Sequence, residues 1–532
     1  MSQRAMKSPE SLTNLSASEL AQRIKAGELS AQEVTEAHIR RIEAVNEQLN
    51  AVVIPLFDEA RAQAVEADKA ASRGEPLGPL HGVPVTIKEQ YRVAGTETTI
   101  GLTGQVGKKY ELDGPLVARL RQAGAIIVGK TNIMQTLAGW ESDNPIYGRT
   151  NNPWNLERTP GGSSGGEAAI IAARGVPLGL GGDLGGSIRI PAHFCGIHGL
   201  KPTTGRLTNE GVPAHLFATG QEAIVAQPGP MARTIADLSL AMEVLAAPWP
   251  RAPVDLVPPV PWPDPTAVEV DGLRVAMYTD NGFFPASPAL RRAVEEAAEA
   301  LRARGAQVET FTPPDVAEAV RLYASILTAD GGATLKRVLG NDQPIQPLKG
   351  TVQGATMPNP LRPVLSKLME SRGQHHLAFL IRNAGSRSAA EFWQLVGARN
   401  NYRARFLQAL DQGRFDAILC PPYALPALTH GSSENLFAAA SYALLYNVLG
   451  MPAGVVAATR VQKEEESDRV VSKDLADKTA QEIEENSMGL PVGVQVVARH
   501  WQEDVVLAVM AALEEHFQTG PTYPEYPELA TQ

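Results

Sequence analysis

The sequence predicts an α/β protein, a sheet covered by helices on both faces, and three observations support this. Short apolar runs alternate with helical stretches: VPVTIK (83–88), LVARLRQAG (116–124), AIIVGK (125–130), EAAIIAARG (167–175) and VPLGLG (176–181). Such alternation buries strands between layers of helix. Of 532 residues, 44% are hydrophobic and 20% charged. That supplies a large core and excludes a disordered or fibrous chain. Helix-start signals then open the chain.

Ser16-x-x-Glu19 and Ser30-x-x-Glu33 both have the capping-box pattern, in which side chains satisfy amides orphaned at a helix start. Gly27 separates the pair. In the second helix Val34, Ile39, Ile42 and Val45 fall close to a 3.6-residue period. These N-terminal helices span about 16–46 and a core about 80–245 follows. A Pro-rich crossing (247–265) leads to a second half (266–532) that contains a charged insertion at 461–487, read as a solvated loop or helix. The alternation resumes unchanged after the crossing, so residues 1–532 are read as one domain.

GAIIVGKTN (124–132) satisfies G-x-x-x-x-G-K-[ST], the phosphate-cradling loop of nucleotide hydrolases. Such a loop follows its strand and turns its amides to phosphate. Here the variable positions are Ala125, Ile126, Ile127 and Val128, a β-branched run that itself reads as a buried strand with its amides committed to a sheet. The nucleotide reading fails on context.

A net charge of −10 gives no basic face for nucleic acid. Two cysteines, Cys195 and Cys420, make neither a disulfide framework nor a metal cage. The first twenty residues lack the apolar core of a secretory signal, and no run of about eighteen apolar residues exists to span a membrane. The expected location is the cytoplasm.

The chemistry concentrates in residues 159–207. Thirteen glycines lie within 161–205, against about four expected from 47 in the whole chain. Glycine density among packable apolar residues means close backbone approach or angles closed to other residues. Two serines are embedded there, Ser163 after Gly161-Gly162 and Ser187 after Gly185-Gly186, the second before a helix start, SIRIP. A serine placed so has free amides beside its hydroxyl, suited to an oxyanion formed by attack on a carbonyl. GGSSG also satisfies the nucleophile-elbow pattern, but that elbow needs an apolar strand directly before it, and PWNLERTP (153–160) is polar and proline-interrupted. His193, His198, His430 and His500 have no distinguishing context. Lysine is the other base: in HGVPVTIKEQ, alternation puts Val83, Val85 and Ile87 on one face and Thr86 and Lys88 on the other.

With these residues in place, the chain resembles the amidase signature family of serine hydrolases. Gly161 to Lys201 resembles the family signature nearly residue by residue. HGVPVTIKE, GKTN, NPWN, YNVLGMPAGVV and GLPVGVQVVA extend the likeness over most of the chain. Glu167 after GGSSGG and the phrase DLGGSIRIPAHFCGIHGLKPT look most like fatty acid amide hydrolases. The resemblance implies a large mixed sheet and a Ser-Ser-Lys triad: Ser187 as nucleophile, Ser163 as relay through a cis Gly162–Ser163 peptide, Lys88 as neutral base. It also implies an oxyanion hole of amides at Leu184, Gly185, Gly186 and Ser187, structural support from Asp183 and Arg189, and substrate contacts at Leu137, Ala138, Gly139 and Trp140. Neither metal nor organic cofactor is implied, the partner is a small-molecule amide, and a homodimer is compatible.

The substrate it implies is a hydrophobic acyl amide. The alternatives are an aryl-acylamide, short amide or ester, an amidotransferase A-type chain like that of glutamyl-tRNA amidotransferase, or a non-enzymatic interaction protein. Where fatty acid amide hydrolases carry an apolar membrane cap, this chain has Leu361, Val364, Leu365 and Leu368 interspersed with Arg362, Lys367, Glu370 and Arg372. Core packing or a substrate-channel lid is expected there rather than membrane docking.

Overall fold

The computed structural model describes residues 9–213, 220–248 and 257–529. Eleven strands form one mixed sheet: β1 (Val52–Pro55), β2 (Pro84–Lys88), β3 (Ile126–Thr131), β4 (Leu178–Asp183), β5 (His198–Lys201), β6 (Gln227–Ala232), β7 (Arg274–Met277), β8 (Gln307–Thr310), β9 (Ala417–Cys420), β10 (Ala453–Arg460) and β11 (Pro491–Ala498). Their order is β1-β3-β2-β4-β6-β5-β10-β11-β9-β7-β8, so both halves of the chain feed one sheet. β3, β2 and β4 run parallel, whereas β6, β5, β10, β11 and β9 pair antiparallel.

Each expected strand and helix of the signature core is present, with ends shifted by a few residues. Alternation sets the two faces. Ile127 joins the core under helices Ala17–Lys25 and Ile235–Leu245, while Ile126 and Val128 join a second core with helices Ala31–Leu49 and Gly165–Ala172. Both capping boxes form, at Ser16 and at Ser30. Residues 124–132 are not a phosphate loop: the run from Ile126 is strand β3, fixed between β1 and β2.

One expectation falls partly outside the described residues and two need adjustment. Residues 249–256 of the Pro-rich crossing lie outside the described residues; 257–264 form neither helix nor strand. The charged insertion is not merely solvated. Its helix Leu475–Glu484 buries Ala476, Ala480 and Ile483, and the buried Arg158 guanidinium donates to the carbonyls of Ile483 (2.9 Å) and Asn486 (3.0 Å). Nor does the 361–368 stripe pack as core: Leu361, Val364 and Leu368 are 57%, 72% and 41% exposed. Helix Arg362–Ser371 buries Arg362 instead, because its guanidinium satisfies the carbonyls of Gly354, Met357 and Ile381. Among the described residues, no helix is long and apolar enough to cross a membrane.

Candidate active site

The parallel strands β2, β3 and β4 end side by side, Lys88 opposite Thr131 in register, at the strand ends where open α/β sheets place their ligands. Val85 and Ile87 point into one core; Thr86 and Lys88 point the other way, toward helix Gly165–Ala172 and the serine segment before it. Lys88 is 1% exposed. Its Nζ lies 2.8 Å from Ser163 Oγ and 3.2 Å from the Gly182 carbonyl. Burial lowers its pKa to about 7, against the opposing pull of Asp183. An amine in this state accepts a proton near neutral pH.

Ser163 follows a cis Gly162–Ser163 peptide. A Cβ at Gly162 would collide with the Glu141 backbone, so only glycine lets these two segments meet. Glu141 in turn accepts from Gly431 N (2.9 Å) and Ser433 Oγ (2.6 Å), tying the cis segment to a loop of the second half. The Ser163 and Ser187 segments are joined by Ser164 N donating to the Ser187 carbonyl at 3.2 Å. No hydrogen bond joins the two serine hydroxyls among the described residues. Ser187 is 7% exposed, and helix Arg189–Cys195 begins two residues on.

The four amides expected at an oxyanion hole differ in their commitments. Those of Leu184, Gly185 and Ser187 donate to no protein acceptor among the described residues. Gly186 differs: at φ +101° its amide turns to Asp183 Oδ1 at 2.8 Å and is already committed.

Asp183 and Arg189 form an ion pair, 3.0 Å apart and fully buried. Asp183 also accepts from Ile188 N (3.2 Å) and Asn447 Nδ2 (2.9 Å). Burial alone would raise its pKa; Arg189's charge and hydrogen bonds override this and hold it far below the carboxylate range. Arg189 spans to the Ala443 carbonyl (3.0 Å), Gln495 Oε1 (2.7 Å) and Asn447 Oδ1 (2.6 Å), so the turn before Ser187 is fixed from two elements, helix Ser441–Leu449 and β11. Arg189→Ala strands Asp183 as an unpaired buried charge. It is expected to lower unfolding free energy by about 3–5 kcal/mol, measured by urea denaturation.

Trp140 is brought to the site, its Nε1 donating to the Gly185 carbonyl at 2.9 Å. Leu137 and Ala138 pack instead against the small cluster of Ile133, Met134 and Leu339, and Gly139 lies over Met134. Phe437 meets the Trp140 ring at 5.6 Å and the Tyr323 ring at 6.2 Å, forming an aromatic wall beside Gly185. Sequence alone assigns no role to Glu141, Asn447, Gln495, Tyr323 or Phe437. Only Gln495 carries a local signal, a lone amide inside the apolar run VGVQVVA. The four histidines bond backbone groups away from the serines: Leu425 by His193, Ala457 by His198, Leu156 by His430 and Leu449 by His500.

Comparison with known proteins identifies the family. The sequence model described as Amidase matches residues 33–507. Over 519 residues the chain is 35% identical to fatty-acid amide hydrolase 1 of Sus scrofa, covering 96% of this chain and 87% of that one. It is 32% identical to the acetamidase of Aspergillus oryzae, covering 94% and 88%. A solved structure of fatty acid amide hydrolase superposes with a TM-score of 0.82 at 30% identity, covering 95% of this chain and 86% of that one. The eleven-stranded mixed sheet is thus that of a known fold, and the chain belongs to the amidase signature family as an amide hydrolase.

Proposed function

We propose that this chain hydrolyses carboxylic amides with a hydrophobic acyl group through an acyl-enzyme on Ser187, and the observation that carries the reading is the buried Lys88 amine 2.8 Å from Ser163 Oγ. Ser187 Oγ attacks the amide carbonyl. Its proton passes to Ser163, whose own proton moves to neutral Lys88. The oxyanion meets the uncommitted amides of Leu184, Gly185 and Ser187. As the C–N bond breaks, Ser163 returns a proton to the leaving nitrogen, which otherwise departs as a very poor amide anion. Water then hydrolyses the ester through the same relay, releasing acid and regenerating Ser187. The reaction as read needs no partner chain, metal or organic cofactor, and is assigned to the cytoplasm.

The hydrophobic acyl preference is supported by the fatty-acid amide hydrolase relatives and by the aromatic wall of Trp140, Tyr323 and Phe437. The acetamidase relative favours a second reading, a short acyl group. A series of amides sharing one amine and differing only in acyl length separates them. The proposal expects kcat/KM to rise by up to about fourfold per methylene over the first several carbons, the factor set by ~0.8 kcal/mol per buried CH₂. A flat or falling series assigns the short-chain reading.

A further inference from the structure

The buried carboxyls around the site differ sharply in their support. Asp183 has its arginine, an amide side chain and two backbone amides. Glu89 accepts two backbone amides, from Thr99 (2.5 Å) and Ile100 (3.0 Å). Glu141 accepts two amides and a hydroxyl. Glu167, on the helix that begins beside the two serines, accepts one side-chain hydroxyl, Thr86 Oγ1 at 2.5 Å. Gly179 of β4 lies directly against the carboxyl and offers it no side chain.

Thr86 is two residues before Lys88 on the same strand face, so the lysine and the carboxyl are neighbours across one hydroxyl. Thr131 of β3 approaches the same carboxyl, yet neither Thr131 Oγ1 nor Glu167 Oε1 completes a hydrogen bond. Two buried orphan oxygens side by side are costly. A fully buried carboxyl that accepts from one hydroxyl lacks the donors an ionised carboxylate needs away from water.

The charged surroundings point the same way. The helix carrying Glu167 packs on β1, β2, β4, β6 and the helices Ala31–Leu49 and Arg189–Cys195. Among the described residues on these elements, Lys88 is the charged group facing Glu167. Asp183 faces Lys88 from β4 but is neutralised by Arg189. His38 is turned to the Gly175 carbonyl and His193 to the Leu425 carbonyl and Gly493 amide. Glu167 is therefore the one carboxyl facing Lys88 that no arginine compensates.

We propose that Glu167 works as a protonated carboxyl and that its neutrality is what leaves Lys88 free to serve as the base, an inference that rests on the Lys88–Ser163 relay proposed above. An ionised Glu167 would instead hold a proton on Lys88 as a buried ion pair and remove the acceptor that Ser163 needs. Glu167 does not touch the reacting atoms; it is a positioning residue acting through Lys88. Burial raises its pKa to about 8, opposed by Thr86, Thr131 and Lys88.

The test is the pH profile of amide kcat/KM for the full chain carrying Glu167→Gln, which keeps the size and the Thr86 contact but cannot ionise. The midpoint of the acid limb is expected to stay within about 0.3 unit of wild type, because the charge that Lys88 faces does not change. A fall of about one unit or more overturns the proposal, since it means the wild-type carboxyl was ionised and was stabilising the ammonium. Should glutamine disturb packing, Glu167→Met carries the same two outcomes. An infrared difference spectrum, wild type minus Glu167→Gln at neutral pH, is expected to show the carbonyl stretch of a protonated acid; a carboxylate pair of bands in its place overturns the proposal. Failure of the underlying relay has a different signature: Lys88→Ala then retains wild-type amide turnover.

Discussion

Replacing Ser187 by alanine is expected to lower amide kcat/KM by roughly 10⁴–10⁶-fold, the range seen when a covalent nucleophile is removed and only oriented binding remains. The side chain is small and 7% exposed, and its hydroxyl makes no hydrogen bond among the described residues, so stability changes little. Thermal unfolding of Ser187→Ala should superimpose on wild type to within ~1 kcal/mol. Labelling by a fluorophosphonate, read as a mass increase on the intact chain, should vanish in the same variant. Full labelling of Ser187→Ala would place the nucleophile elsewhere, with Ser163 the nearest alternative.

The second large effect concerns Lys88→Ala. Loss of a positioned base is expected to cost amide hydrolysis about 10²–10⁴-fold, and ester hydrolysis at least about tenfold less. The difference arises at the leaving group. An alkoxide departs with little help, whereas an amine needs the proton that Ser163 delivers from Lys88. Equal losses on a matched amide and ester would contradict the relay. The pH dependence carries the same sign: with a lysine pKa near 7, the ammonium dominates on the acid side and activity falls as pH drops through that value. The alanine variant should lose this limb.

The residues legible in the sequence are those whose role is written in local pattern. Lys88 lies on the polar face of a strand whose other face is Val83, Val85 and Ile87, so its direction follows from a period of two. Ser163 and Ser187 stand out through the glycines around them, because close backbone approach leaves that trace: Gly162 has no room for a side chain against Glu141. Identifying Lys88 as a base needs the family resemblance, since strand-end lysines ordinarily reach solvent.

What stays hidden depends on partners far along the chain. Asn447 and Gln495 hold Arg189 from 258 and 306 residues away, and no local period announces that. The commitment of the Gly186 amide is a matter of backbone direction at φ +101°, which a run of glycines permits without specifying. The outward face of helix Arg362–Ser371 escapes a sequence reading because arginine is rarely core. Here a guanidinium meeting three backbone carbonyls outcompetes the leucines for the interior. The insertion helix Leu475–Glu484 escapes it for a related reason: its apolar face is made of alanines and one isoleucine, a weak signal in a run dense with charge.

All of this chemistry turns on the charge of one buried nitrogen. The direct measurement is the ¹⁵N resonance of Lys88 Nζ in lysine-labelled protein, assigned by its absence from Lys88→Ala and followed as pH is raised from acid to alkaline. A titration with its midpoint near 7, giving the shift of a neutral amine on the alkaline side, is expected. An ammonium that persists to about pH 9 without titrating, as an ordinary lysine of pKa ~10.4 would, would leave Ser163 with no acceptor and contradict the mechanism.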